Sequence, residues 1–203
     1  MGRLIPVAVA LLLGGCAAAG TLAALPGVLV EEIVDQFRGA ERTVPADIHR
    51  SLAAAQRGLR SLHLDADLLE QLDGGYAILF SNDHMDGKIL LRPDTPSLTT
   101  LYIQVHRGMS RESSVEEAIL DVIEKMVPGM PRHARFDFHG YGRIYDKVAR
   151  NAKRIGWFRI GARLEVAESG TGGWLRTRLP SGRKGYMQAS ISQFRAKRHR
   201  KGG

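Results

Sequence analysis

The sequence predicts an α+β protein, with a small α+β sandwich in the first half of the chain and an all-β barrel of short strands in the second. Three observations predict it. Apolar residues at helical spacing follow Asp47 and again Ser113, with strand-like runs between them. After residue 145, short strand-like runs are separated by Gly- and Ser-rich turns at regular spacing. Charge divides the chain near the same place. Residues 1–131 hold 11 Lys and Arg against 17 Asp and Glu, net −6; residues 132–203 hold 18 against 4, net +14. An asymmetry of this size marks two units. Their boundary falls at Val127, Pro128, Gly129, Met130 and Pro131, where two prolines and a glycine stop a helix.

The resulting divisions are a leader at 1–15, an apolar stalk at 16–39 and an α+β unit at 40–126. A Pro/Gly linker at 127–144, an all-β unit at 145–194 and a basic tail at 195–203 follow. In the α+β unit, residues 41–46 read as a short strand. A helix then carries Ile48, Leu52, Ala55, Leu59 and Leu62 on one stripe, with Asp47 as cap or first-turn acid. Residues 64–72 fit a strand or a helix. Gly74 and Gly75 mark a turn, 76–80 a strand, and 82–87 a tight connection. Strands at 88–92 and 98–106 follow, the latter pointing Leu101, Ile103 and Val105 inward. Residues 110–126 read as the second helix, capped by Ser113 or Ser114, with Glu116 and Glu117 in its first turn.

In the second unit Leu164 and Val166 share one strand face, and Leu175, Thr177 and Leu179 share one face of the next. Residues 169–173 and 180–182 supply the turns. On the opposite face Trp174, Arg176 and Arg178 alternate outward, with Tyr186 and Lys184 alongside. An exposed aromatic flanked by cations grips a carboxylate-bearing peptide or glycan by stacking and charge. The plainer reading is that Trp174 covers the barrel edge and the arginines are solvated.

The first residues carry a different signal. Arg3 precedes an apolar stretch at 4–13, Gly14 and Gly15 follow, and Cys16 is the sole cysteine. Leu13, Gly14, Gly15 and Cys16 resemble the lipobox of a bacterial lipoprotein signal peptide. That resemblance implies cleavage before Cys16, lipid on its thiol, and a place in the cell envelope. In a bacterium with two membranes, Ala17 implies the outer membrane, facing the periplasm. The rival is an uncleaved transmembrane helix, since residues 4–30 carry no charge and a span needs about 20 apolar residues. Both put the bulk of the chain outside the cytoplasm.

Two more resemblances follow. Val44, Pro45, Ala46 and Asp47 entering the first helix, the hairpin around Gly87, the strand at 100–108 and the closing helix resemble a family of short bacterial lipoproteins without an established activity. Residues 160–166, 173–179, 183–187 and 189–194, with Gly173-Trp174 opening one strand and Gly185-Tyr186 in another, resemble a bacterial SH3-like domain of cell-wall proteins. The loop before Ile160 departs from that pattern.

Catalytic signals are poor. No zinc-protease, serine-hydrolase or phosphate-loop motif occurs, and no cofactor is called for. His133, Asp137 and His139, and likewise Asp83, His84 and Asp86, are metal-ligand types without a metal-site spacing. The expected function is a non-catalytic binding or scaffold module at the cell wall. The membrane is its partner through Cys16, with peptidoglycan or an envelope protein as further partners and no nucleic acid. The alternative is a single-pass membrane protein regulating a wall-remodelling enzyme.

Overall fold

A computed structural model describes residues 29–149 and 151–194. The leader, Cys16, most of the stalk and the basic tail lie outside the described residues. The described chain is α+β: eleven strands in one antiparallel sheet, with three helices. No helix among the described residues is long and apolar enough to cross a membrane.

The first unit follows its hydrophobic pattern closely. β1 (Ala40–Val44) pairs with β5 (Leu98–Arg107), β5 with β4 (Asp86–Thr95), β4 with β3 (Gly75–Ser81), and β3 with β2 (Asp65–Leu72). A two-residue β6 (Ser110–Arg111) folds back on β5. α2 (Ile48–Ser61) begins at Asp47, whose carboxylate accepts the His49 and Arg50 N–H groups at 2.9 and 3.1 Å. It buries Leu52, Ala53, Ala54, Ala55 and Leu59, whereas Leu62 has passed the helix end and is exposed. α3 (Ser113–Met126) packs beside α2, and both cover the sheet face formed by Leu69, Ile78, Ile89, Leu101 and Ile103. Each fully buried Leu or Ile contributes roughly 1.5–3 kcal/mol.

Within residues 64–72, open between helix and strand in the sequence, Asp65–Leu72 forms β2. Leu69 faces the helices while Leu68 faces a second core, so burial on both faces hides the alternation that identifies a strand. The second helix starts at Ser113 rather than Ser110, and neither Ser113 nor Ser114 caps it. Residues 110–111 are taken by β6.

The apolar stalk expected at 16–39 is corrected at its C-terminal end. α1 (Val30–Ile33) and a 3-10 turn (Val34–Phe37) bury Val30, Ile33 and Phe37 on Leu72, Ala77, Leu90 and Tyr102, across the sheet from α2 and α3.

The linker expected at 127–144 is folded as well. The Arg50 guanidinium donates to the carbonyls of Val127 and Met130 at 2.8 and 3.1 Å. The Gln56 amide pairs with both the N–H and the C=O of Asp137, at 2.7 and 2.8 Å. Phe136 is buried, and residues 141–145 are the strand β7 (Tyr141–Tyr145). Two prolines and a glycine stop α3, but side chains of α2 satisfy the carbonyls that follow.

β7 pairs with β8 (Arg154–Arg159) and β11 (Lys184–Gln188); β11 pairs with β10 (Trp174–Arg178), and β10 with β9 (Val166–Glu168). These five strands enclose a core of Ile144, Ile155, Phe158, Leu164, Leu175, Leu179 and Met187. They also continue the first sheet. β8 pairs with β2 through Leu68↔Phe158, Leu69↔Trp157 and Glu70↔Gly156. Gly156 permits that seam, since a Cβ there would lie 2.5 Å from the Leu69 carbonyl oxygen.

Candidate functional site

The register of three strands assembles the face that the alternation of Trp174, Arg176 and Arg178 predicts. Leu175 and Thr177 point into the core, as do Gly185 and Met187 on β11, so the residues between them point out. Arg176 is the direct partner of Tyr186, and Arg178 of Lys184. Trp174 stands opposite Gln188. Tyr186 in turn is opposite Tyr145 of β7.

Trp174 is half-buried, neither a core residue nor a free flag. The Tyr145 ring meets it edge-on, with centroids 5.8 Å apart and planes at 70°. Tyr186 is half-buried, and Arg176, Arg178 and Lys184 are exposed. The structure therefore brings Trp174, Arg176, Arg178 and Tyr186 together and adds Tyr145, which the sequence reading missed. Its signal was present: Tyr141, Arg143 and Tyr145 alternate around Gly142 and Ile144, but the strand straddles the expected linker boundary.

Electrostatics set this face apart. None of Arg176, Arg178 and Lys184 joins a salt bridge within the described residues, and no carboxylate occupies an outward position on β10 or β11. An aromatic pair rimmed by uncompensated cations binds anions bearing an apolar or planar face.

A second feature lies at the junction of the two units. A cleft of about 770 Å³ is lined by Asp67, Ser81 and the 82–87 loop on one side and by Arg163, Leu164 and Glu165 on the other. Its floor is Asp67, placed at an irregularity in the β2–β3 pairing. The Ser81 hydroxyl donates to one Asp67 oxygen, and Arg159 Nη2–H to the other at 2.7 Å. Burial pushes the Asp67 carboxyl up, and the hydrogen bond from Ser81 and the charge of Arg159 only partly offset this. Both oxygens are engaged, so Asp67 reads as part of the seam between the units.

The metal-ligand types resolve into loop chemistry. The Asn82 side-chain oxygen accepts the N–H groups of His84 and Met85, and Asp83 pairs with Arg163. Asp137 accepts the His139 N–H at 2.9 Å. No three His, Cys, Asp or Glu side chains among the described residues are grouped to hold a metal. Glu116, expected as a first-turn acid, is fully buried. It accepts Arg111 Nε–H and Nη2–H at 2.8 and 2.7 Å and the backbone N–H of Ala40 and Val105 at 3.1 Å each. Burial alone would raise this carboxyl, but Arg111 and the two backbone donors together hold it below the ordinary carboxylate range.

No known protein family, curated protein or solved structure matches this chain.

Proposed function

We propose that this protein is a cell-envelope lipoprotein, anchored through lipid on Cys16, whose C-terminal strands form an SH3-like module that holds an acidic component of the cell wall without catalysis. One observation carries the binding half of this reading: the outward face of Trp174, Tyr145, Tyr186, Arg176 and Arg178 joins paired aromatics to cations that join no salt bridge among the described residues. Arginine forks offer two parallel N–H donors to a carboxylate, and the ring faces accept the apolar side of a sugar or peptide. The anchor rests on the sequence of residues 13–16 alone.

Co-sedimentation of the protein with purified peptidoglycan across a salt series tests the binding. Exposed charges are screened beyond about 8 Å at physiological salt, so binding weakens as salt rises. The Trp174→Ala variant pellets less while its circular dichroism is unchanged. Binding insensitive to both salt and Trp174 overturns the reading. For the anchor, mass spectrometry of the cellular protein shows a chain beginning at lipidated Cys16, and Cys16→Ser leaves the leader uncut.

A further inference from the structure

We infer that the cationic face continues across β7 onto β8, and that its ligand is a linear polymer carrying repeated anionic groups rather than a single carboxylate. This rests on the binding role proposed above and extends its site.

The strand register carries the inference. Arg143 of β7 is paired with Trp157 of β8, and Tyr145 with Arg154. Counting two residues back from the Tyr145↔Tyr186 pair, Arg143 lies level with Gln188, whose partner is Trp174. Trp157, Arg143, Gln188 and Trp174 thus form one row across four strands. Arg154, Tyr145, Tyr186 and Arg176 form the next. A row of three interstrand steps covers about 14 Å of sheet surface. Both rows contain only aromatic, cationic and amide side chains.

Arg143 and Arg154 are exposed, and neither joins a salt bridge within the described residues. The Arg154 guanidinium lies 4.7 Å from the Trp157 ring centre, which holds its fork over the surface. The loop carboxylate Asp146 accepts the backbone N–H of Lys153 at 3.0 Å. Five cations, Arg143, Arg154, Arg176, Arg178 and Lys184, are therefore spread over four strands rather than gathered around one point. A lone carboxylate engages one fork; a polymer with anions along its length engages several at once, and the contacts multiply. On β8 the covered Trp157 leaves charge rather than stacking to engage the ligand, which favours an anionic glycan or polyphosphate over single-stranded nucleic acid. Phe138, with its centroid 4.5 Å away, and Arg154 cover Trp157. Successive bases need open ring faces on which to stack.

Fluorescence anisotropy of the full chain tests this with labelled probes: an alginate octamer, an alginate dimer, inorganic polyphosphate, a neutral cello-octamer and oligo-dT. The octamer binds about tenfold or more tighter than the dimer, and its affinity falls with salt. The Arg143→Ala/Arg154→Ala variant weakens octamer binding about fivefold and leaves dimer binding unchanged. Octamer or polyphosphate binding supports the inference, the two arms telling carboxylate from phosphate. If that double variant binds the octamer like wild type while Arg176→Ala/Arg178→Ala does not, the extension is overturned and the smaller site stands. If Arg176→Ala/Arg178→Ala also binds like wild type, the proposed function fails with it. Tighter binding of oligo-dT than of either polyanion, or equal binding of the neutral octamer, overturns the ligand class.

Discussion

Arginines in the first unit and arginines on the C-terminal face are held in opposite ways. Arg42 reaches Glu117, Asp121 and Glu124 on α3, Arg111 reaches Glu116, and Arg92 reaches Asp94. Across β7, β8, β10 and β11, Arg143, Arg154, Arg176, Arg178 and Lys184 have no such partner among the described residues. Between these extremes lie three arginines of the basic half that pair with acids of the acidic half: Arg159 with Asp65 and Asp67, Arg163 with Asp83, and Arg183 with Glu70. The charge split along the chain therefore has two uses. Part of it stitches the units together across the β2–β8 seam, and five further cations are left on one exposed face. Paired cations are structural groups whose loss lowers stability. Unpaired cations are available to a ligand, and their loss should leave stability alone.

The largest break in this comparison is expected at Glu70. It is fully buried and accepts four hydrogen bonds, from Ser181 N–H and Oγ–H at 2.9 and 2.6 Å and from Arg183 Nε–H and Nη2–H at 3.2 and 2.8 Å. Glu70→Ala leaves these donors without their acceptor at the seam and costs about 3 kcal/mol in urea denaturation. It also speeds proteolysis within 127–140, whereas in wild type the contacts of Arg50 and Gln56 protect that segment. Equal stability of variant and wild type would show that the seam is not a source of cohesion.

Glu116 is expected next, at about 2 kcal/mol for Glu116→Gln near neutral pH, because its charge-assisted bonds are weakened. Its folded value is held below the ordinary range. The stability it contributes is present above the unfolded value of about 4.3 and is lost as pH falls through the lower folded value. Denaturation measured against pH should be steeper below about pH 4 in wild type than in the variant. Asp67 has the opposite sign. Its raised carboxyl favours the fold below the unfolded value of about 3.9, and this is lost as pH rises through the folded value, a dependence that Asp67→Asn removes.

Trp174→Ala should cost only about 1 kcal/mol, because the ring is half-buried and its main contact is edge-on to Tyr145. A loss that unfolds the C-terminal strands would instead return Trp174 to the core. Arg176→Ala/Arg178→Ala sharpens the comparison from the other end. Its melting curve should match wild type within about 0.5 kcal/mol, while peptidoglycan sedimentation falls and loses salt dependence.

Much of the first unit was legible because one-sided burial writes itself into a sequence. Asp47, the stripe from Leu52 to Leu59, and the alternation of Leu101, Ile103 and Val105 each identify an element and its inner face. The outward run Trp174, Arg176 and Arg178 was legible for the same reason. Segments with partners distant in the chain were not. Residues 64–72 are buried on both faces, so their period vanished. In the sequence Glu116 reads as a first-turn acid, and its burial was not legible because two of its donors are the backbone N–H groups of Ala40 and Val105. Residues 141–144 looked like linker because the prolines before them ended one helix without ending the fold, and that hid the strand that carries Tyr145.

By itself the sequence determined the start of the first helix at Asp47, the inner faces of the one-sided strands, the division of charge and the aromatic–cationic alternation, since these depend on residues a few positions apart. Tertiary structure alone decided that 30–37 covers the back of the sheet, that β8 joins β2, and that Glu70, Asp67 and Asp83 neutralise arginines 80 or more residues away. It alone decided which arginines were left over. The physical reason is that charge pairing depends on which strands become neighbours, and strand neighbours are chosen by burial summed over the whole sheet rather than by any local run of residues.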